Sequence, residues 1–233
     1  MRRALYITSI LLATAAVATA AERRTLTDHV PVADIEELRI DTSVGDVSIT
    51  GTDSDVLSVE VELIARRGGF FSSLTKAERI VDTARIEALR RDGILDLKID
   101  AEGDEDDRRF EEQWTITAPS RLAVTLDLGV GDADIVGMAG DLSVDAGVGD
   151  VRVEAAGGDV YLDLGVGDAR VVAAEAAYGI VECSGGIGDS RIDVGERRTS
   201  SDGLMGHATS WRGDGRGSIE IEAGVGDVVV ILK

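Results

Sequence analysis

From residue 122 onward, apolar and polar positions alternate in blocks of nine. Gly-Asp pairs open the blocks at Gly131-Asp132, Gly140-Asp141, Gly149-Asp150, Gly158-Asp159 and Gly167-Asp168. Counting the Gly as first, the third, fifth and seventh positions are apolar, as in Leu142/Val144/Ala146 and Val160/Leu162/Leu164. The fourth and sixth are mostly polar, as in Ser143/Asp145 and Tyr161/Asp163. A period of two marks a half-buried strand, and the Gly marks the bend between strands. Ten such units begin at 122, 131, 140, 149, 158, 167, 179, 188, 217 and 226. A three-residue insertion precedes the unit at 179, and residues 197–216 interrupt the series.

A longer period lies inside the shorter one. The turn Gly-Val/Ile-Gly-Asp recurs at 129–132, 147–150, 165–168, 186–189 and 224–227, on alternate units. The turns between them differ, as at Ala139-Gly140-Asp141 and Gly157-Gly158-Asp159. The true repeat is therefore about 18 residues, two strands and two unlike bends. The predicted fold class is all-β: a two-sided parallel β-solenoid with about 18-residue coils, stacked about 4.8 Å apart. An antiparallel sandwich of hairpins is the alternative, but it gives no reason for two turn types on alternate units.

The front half is less regular. Leu38, Ile40, Thr42 and Val44, then Gly45-Asp46 with Val47 and Ile49, repeat the same phase and predict an early coil. Val56–Ile64 reads as a strand. Ser73 is placed to cap a short helix carrying Leu74, Ala77, Ile80 and Val81 on one face. Arg85–Leu89 and Ile94–Ile99 flank Arg91-Asp92-Gly93 as a hairpin. The acid-rich stretch Ala101–Glu112 reads as a solvated loop, and Gln113–Thr117 as a strand. The expected organisation is a signal peptide over residues 1–20 and one domain over 21–233. Within that domain, 30–120 form N-terminal coils, short helix and hairpin that cap the regular array of 121–233, with its loop at 197–216.

Met1-Arg2-Arg3, an apolar run from Ala4 to Val17 and Ala18-Thr19-Ala20 have the layout of a secretory signal. The expected setting is periplasmic, extracellular or cell-surface, with no integral membrane span after cleavage. The formal charge is −20, from 24 Lys+Arg against 44 Asp+Glu. That rules out a phosphate-backbone binder as the default reading, because nucleic-acid affinity rests on clustered Lys and Arg. Aromatics make up only 3%, so the core must be built from Val, Ile, Leu and Ala. The single Cys183 falls at an inward position and forms no internal disulfide.

Several segments together resemble a family of exported bacterial proteins with β-strand repeats, a domain family of unknown function named “putative adhesin”. They are Leu38-Arg39-Ile40, Ser43-Val44-Gly45-Asp46-Val47-Ser48-Ile49, the short helix plus hairpin, Trp114-Thr115-Ile116-Thr117-Ala118-Pro119, and the Gly-Val-Gly-Asp strands. The resemblance covers roughly residues 32–233. It implies a β-helical fold and a cell-envelope setting, and it carries over no catalytic residues. The long Arg197–Arg216 loop and the regular Asp columns depart from the plain pattern.

Candidate chemistry follows from the columns. Asp132, Asp150, Asp168, Asp189 and Asp227 fall at one edge of successive coils. Two carboxylates about 4.8 Å apart repel by roughly 0.9 kcal/mol even in water. Either each caps the N–H groups of its own turn, or a divalent cation, Ca²⁺, bridges them as a metal site. The calcium-roll signature Gly-Gly-x-Gly-x-Asp is not met. One outer face carries Arg152, Arg170 and Arg191 beside Asp134, Glu154 and Asp193. The other carries Asp127, Asp145, Asp163, Glu182, Glu220 and Glu222 with no base. Trp211 and Arg212, in the basic loop, join Arg152, Arg170 and Arg191 as candidate partner contacts.

No cofactor is implied, and no catalytic motif is present; His29 and His207 lack spaced partners. The expected role is a non-enzymatic, adhesin-like envelope or secreted binding protein. A Ca-dependent β-roll-like module and, third, a polysaccharide-active envelope enzyme using Glu220 and Glu222 are the alternatives. Expected partners are a surface polymer, an envelope protein, or a second copy meeting the apolar C-terminal edge Val228–Leu232.

Overall fold

Alternation becomes strand along almost the whole of the described chain, because Val, Ile and Leu every second residue can all be buried on one face. The computed structural model describes residues 23–65, 81–101, 110–203 and 206–233. The front-half strands are β1 (Arg23–Pro31), β2 (Glu37–Val44), β3 (Val47–Thr52), β4 (Val56–Ala65), β5 (Arg85–Arg91), β6 (Ile94–Asp100) and β7 (Phe110–Pro119). The repeat follows as β8 (Ala123–Val130), β9 (Ala133–Val136), β10 (Leu142–Val148), β11 (Val151–Ala155), β12 (Val160–Val166) and β13 (Ala169–Ala173). A 3₁₀ turn at Glu175–Ala177 leads to the long β14 (Tyr178–Val194). The last strands are β15 (Arg197–Gly203), β16 (His207–Arg212), β17 (Gly217–Val225) and β18 (Val228–Leu232).

The architecture is all-β and mostly parallel. Consecutive strands do not pair as hairpins in the repeat. Instead β10 lies parallel between β8 and β12, with Val144 opposite Leu126 and Leu162. Likewise β11 lies between β9 and β13, with Val153 opposite Ile135 and Val171. Each partner is 18 residues away. Two ladders result. Sheet A runs β1-β4-β7-β3-β9-β11-β13-β18, then the second half of β14, then β15. Sheet B runs β5-β6-β2-β8-β10-β12-β17, then the first half of β14, then β16. The long β14 joins them.

Both ladders supply one hydrophobic core. Leu126, Val144, Leu162 and Ile221 enter it from sheet B, and Ile135, Val153, Val171 and Val230 from sheet A. The early strands keep the phase of the repeat: β2 pairs β8 and β3 pairs β9, so Ile40 faces Leu126 and Ile49 faces Ile135. The hairpin of β5 and β6 also forms, its turn carried by Asp92 and Gly93 at positive φ. Of the predicted helix, only residues 81–83 lie within the described chain, and they are helical with Val81 buried. The signal segment 1–20 and the Ser73 cap lie outside the described residues.

Several expectations are corrected. The C-terminal strand is no edge: β18 sits between β13 and β14, with Val230 opposite both Val171 and Ile192. Its apolar residues on both faces follow from this internal position, so Val228–Leu232 offers no edge for a second copy. Within the repeat, sequence order and spatial order therefore part company after β13. The stretch 197–216 is not a loop excursion. Most of it forms β15 and β16, which run antiparallel to the two halves of β14 and close that end. Phe110–Glu112 belong to β7 rather than to a solvated loop. An additional strand, β1, pairs with β4 at the other end of sheet A.

Candidate functional site

The edge carboxylates form one continuous ladder. Asp132 N–H donates to Asp46 Oδ1 at 3.0 Å, and Asp150 N–H to Asp132 Oδ1 at 2.9 Å. Asp168 N–H donates to Asp150 Oδ1 at 3.0 Å and Asp227 N–H to Asp168 Oδ1 at 2.8 Å. Asp189 N–H completes the series on Asp227 Oδ1 at 2.9 Å. Residues 132 and 150 are thus adjacent steps, as the 18-residue repeat requires. The expected capping is corrected in one respect: each carboxylate caps the next rung's N–H, not its own turn. The spatial order is 168, 227, 189 because β18 is inserted. A shorter ladder runs along the opposite turns, where Asp159 N–H donates to Asp141 Oδ1 at 2.9 Å and Ser218 N–H to Asp159 Oδ1 at 2.7 Å. Among the described residues, no group of three His, Cys, Asp or Glu side chains converges as a metal cage.

The outer face of sheet B carries the densest charge. Register places Asp41, Asp127, Asp145, Asp163 and Glu222 side by side on five neighbouring strands. None of the five has an ion-pair partner among the described residues. Burial first, then the charges of Asp41 and Asp145, push the Asp127 carboxyl above its ordinary value. Glu220 and Glu182 stand in the adjacent column, in register with Tyr161 and Ser143. At the start of that face, Glu37 is held low chiefly by its hydrogen bond from Arg39.

The candidate partner-contact arginines do not form one group. Arg152 and Arg170 are neighbours on sheet A, but Val229 separates Arg170 from Arg191. Arg152 pairs with Asp150 at 3.3 Å, and Arg191 reaches Asp193 at 3.1 Å, which Arg198 also holds at 2.8 Å. Trp211 and Arg212 lie on β16 at the end of sheet B. Trp211 is half-buried against the core, and Arg212 lies 3.7 Å from Glu182. Both line a cleft of about 860 Å³ with Arg197, Asp214 and Lys233.

Cys183 is buried, and burial pushes its thiol up to about 12, so it is unreactive. His207 is buried beside Gly185, and neither ring nitrogen has a partner among the described residues. The buried Glu112 accepts hydrogen bonds from Trp114 Nε1 and Thr42 Oγ1, both at 2.9 Å. Its acid-rich neighbourhood in sequence concealed that inward position.

The sequence reading also missed an apolar line. In the Gly-Val/Ile-Gly-Asp turns the central residue faces solvent: Val130, Val148 and Val166 are each 47% exposed, Val225 42% and Ile187 51%. Register aligns them with Val44 in one row across six rungs. The signal was present, because every such residue lies between two glycines, where the strand's alternation ends.

No protein-family model matches the chain, and no curated protein does. Among solved structures, the fold is similar to a “putative cell adhesion protein” from Clostridium sporogenes, with a TM-score of 0.62 at 20% identity. That match covers 91% of this chain and all of the other. A “putative adhesin” from Bacteroides fragilis aligns over 89% of this chain and 97% of its own, at 15% identity and a TM-score of 0.35. The similarity that carries weight is one of fold.

Proposed function

We propose that this chain is an exported, non-enzymatic binding protein of the cell envelope, adhesin-like in role. We read its parallel ladders as the coils of a two-sided β-solenoid, a reading supported by the constant 18-residue offset between partners. The observation that carries the binding role is the column Asp41, Asp127, Asp145, Asp163 and Glu222, held in register with no ion-pair partner among the described residues. Stability alone gives no reason to stack like charges, because directly opposed like charges destabilise a sheet. A rigid carboxylate row suits a surface that presents fixed cations, such as an amine-bearing polymer or a basic envelope protein. The likeness to a cell adhesion protein supports an envelope setting.

The test is retention of bacterial cells, isolated cell walls and amine-bearing polysaccharide by the immobilised chain. Binding that falls with salt and with D145N/D163N is the expected result. No retention of any of these surfaces overturns the reading.

A further inference from the structure

The exposed row Val130, Val148, Val166, Val225 and Ile187, with the half-buried Val44 at its start, is a second surface, distinct from the carboxylate column. Exposed apolar side chains are ordinary when scattered, but a contiguous line of them marks a contact site. Beside it runs a floor with almost no side chains: Ser43, Gly129, Gly147, Gly165, Gly224 and Gly186. That floor cannot be filled. A Cβ on Gly147 would come 2.5 Å from the Gly129 carbonyl oxygen, and one on Gly165 the same from Gly147. The row is bordered on both sides by acids. Asp127, Asp145 and Asp163 precede it by three residues, and Asp132, Asp150 and Asp168 follow it by two.

These features select the occupant. A second copy of this chain would bring acidic borders against acidic borders on a body of charge −20. An anionic lipid surface is repelled in the same way. An added β-strand finds no backbone to pair with, because the turn amides are already used. Gly131 N–H donates to Val148 O, Gly149 N–H to Val166 O and Gly167 N–H to Val225 O, each at 2.9 Å. Contact must therefore be made through side chains.

Spacing decides between extended and helical partners. Rungs recur about every 4.8 Å, whereas same-face residues of an extended peptide recur about every 6.7 Å and lose step by a whole rung within three repeats. An α-helix presents one apolar residue per turn of about 5.4 Å and drifts only about 3 Å over five rung intervals. The row is about 24 Å long, the length of a helix of about 16 residues.

We propose that the valine row is a docking site for a basic amphipathic α-helix. Its apolar stripe lies along Val130, Val148, Val166 and Val225, and its Lys or Arg residues flank the stripe to meet the two acidic borders. This deepens the binding-protein reading and rests on it, while assigning a different surface and a defined partner chemistry. The mode is that of a helix laid into a groove, read by anchors at i, i+3, i+4 and i+7.

The probe is a fluorescein-labelled peptide of about 16 residues with Leu at helical spacing and Lys on both flanks, titrated against the full chain. The control is the same composition scrambled to remove the apolar stripe. The amphipathic peptide is expected to bind about tenfold tighter than the scramble and to gain helical circular dichroism on binding. V148T/V166T keeps β-branched side chains at exposed positions, so its melting temperature is unchanged while the preference over the scramble is lost. Equal binding of the two peptides, binding without helix gain, or a V148T/V166T chain that still prefers the amphipathic peptide each overturns the proposal. Cell and polymer retention by the parent chain separates the two readings: a parent that is retained on those surfaces but binds both peptides equally removes the helix site and leaves the binding role standing.

Discussion

Asp150 Oδ1 accepts the backbone N–H of Asp168 at 3.0 Å, from a residue 18 positions along the chain. One carboxylate thus satisfies an amide that the bend leaves outside the regular ladder. The geometry also explains how like charges can stack: each is partly offset by an N–H dipole from its neighbour.

Replacing Asp150 separates capping from charge. Asp150→Ala removes the acceptor and the Arg152 pair, and is expected to cost about 1 kcal/mol. Asp150→Asn keeps an oxygen for the Asp168 amide and removes one of three neighbouring charges, so it should be close to neutral. Urea denaturation of both variants reads the difference. An Ala variant as stable as the parent would show that the ladder contributes nothing.

Capping also predicts indifference to calcium. One oxygen of each of Asp46, Asp132, Asp150, Asp168 and Asp227 is already occupied by an amide. Melting temperatures in EDTA and in excess calcium should coincide. A rise with calcium, lost in D150N/D168N, would restore the cation-bridge alternative.

Asp127 gives a pH signature. Its folded carboxyl holds a proton more tightly than the unfolded one, because burial and then Asp41 and Asp145 raise it. Stability from this group is therefore greatest in acid and falls as pH rises from about 3.9 through the raised folded value. Asp127→Asn should stabilise the chain at neutral pH by about 0.5 kcal/mol, with the gain vanishing in acid. Urea curves at the two pH values check this, and an equal gain at both would exclude a charge origin.

Glycine at the bend is required twice over. Gly149 has φ of +146°, and a Cβ there would come 1.8 Å from the Gly131 carbonyl oxygen. Gly149→Ala is expected to cost about 3 kcal/mol or more. Gly195, at φ +55° with open space around it, should tolerate Ala for about 1 kcal/mol. Thermal melts of the two variants side by side test the ranking.

The closing strands protect an edge. Both halves of β14 are covered by antiparallel strands that carry Arg197, Arg198 and Arg212. Replacing residues 196–216 by a short linker bares the β14 backbone in both sheets, so larger species should appear in light scattering. A variant of the parent's size and melting temperature would contradict that protective role.

Much of this was legible in the residues themselves. Leu142, Val144 and Ala146 are buried as their alternation demands, and Val151 and Val153 likewise. The two turn types marked the 18-residue repeat. What escaped was order. Each unit presents the same inward aliphatics and the same edge Asp, so Ile219/Ile221 fit against β12 as well as Val181/Cys183 would. Periodicity cannot rank identical neighbours. Val148 was missed for the converse reason: extended one step, the alternation predicts it inward, but Gly147 and Gly149 swing it out. Residues 197–212 hid as a loop because strands at a sheet edge are polar and carry little alternation.

The placement of β18 between β13 and β14 has a temporal meaning. Asp168 receives the amide of Asp227, 59 residues later, and β14 receives its own parallel neighbours from the same late segment. Residues 178–212 therefore have no finished surface to dock on until 217–232 have emerged and inserted. The closing half is tied to the rest of the repeat through β17 and β18, so a folding order that ran from the front would leave it waiting, open, for residues 217–232.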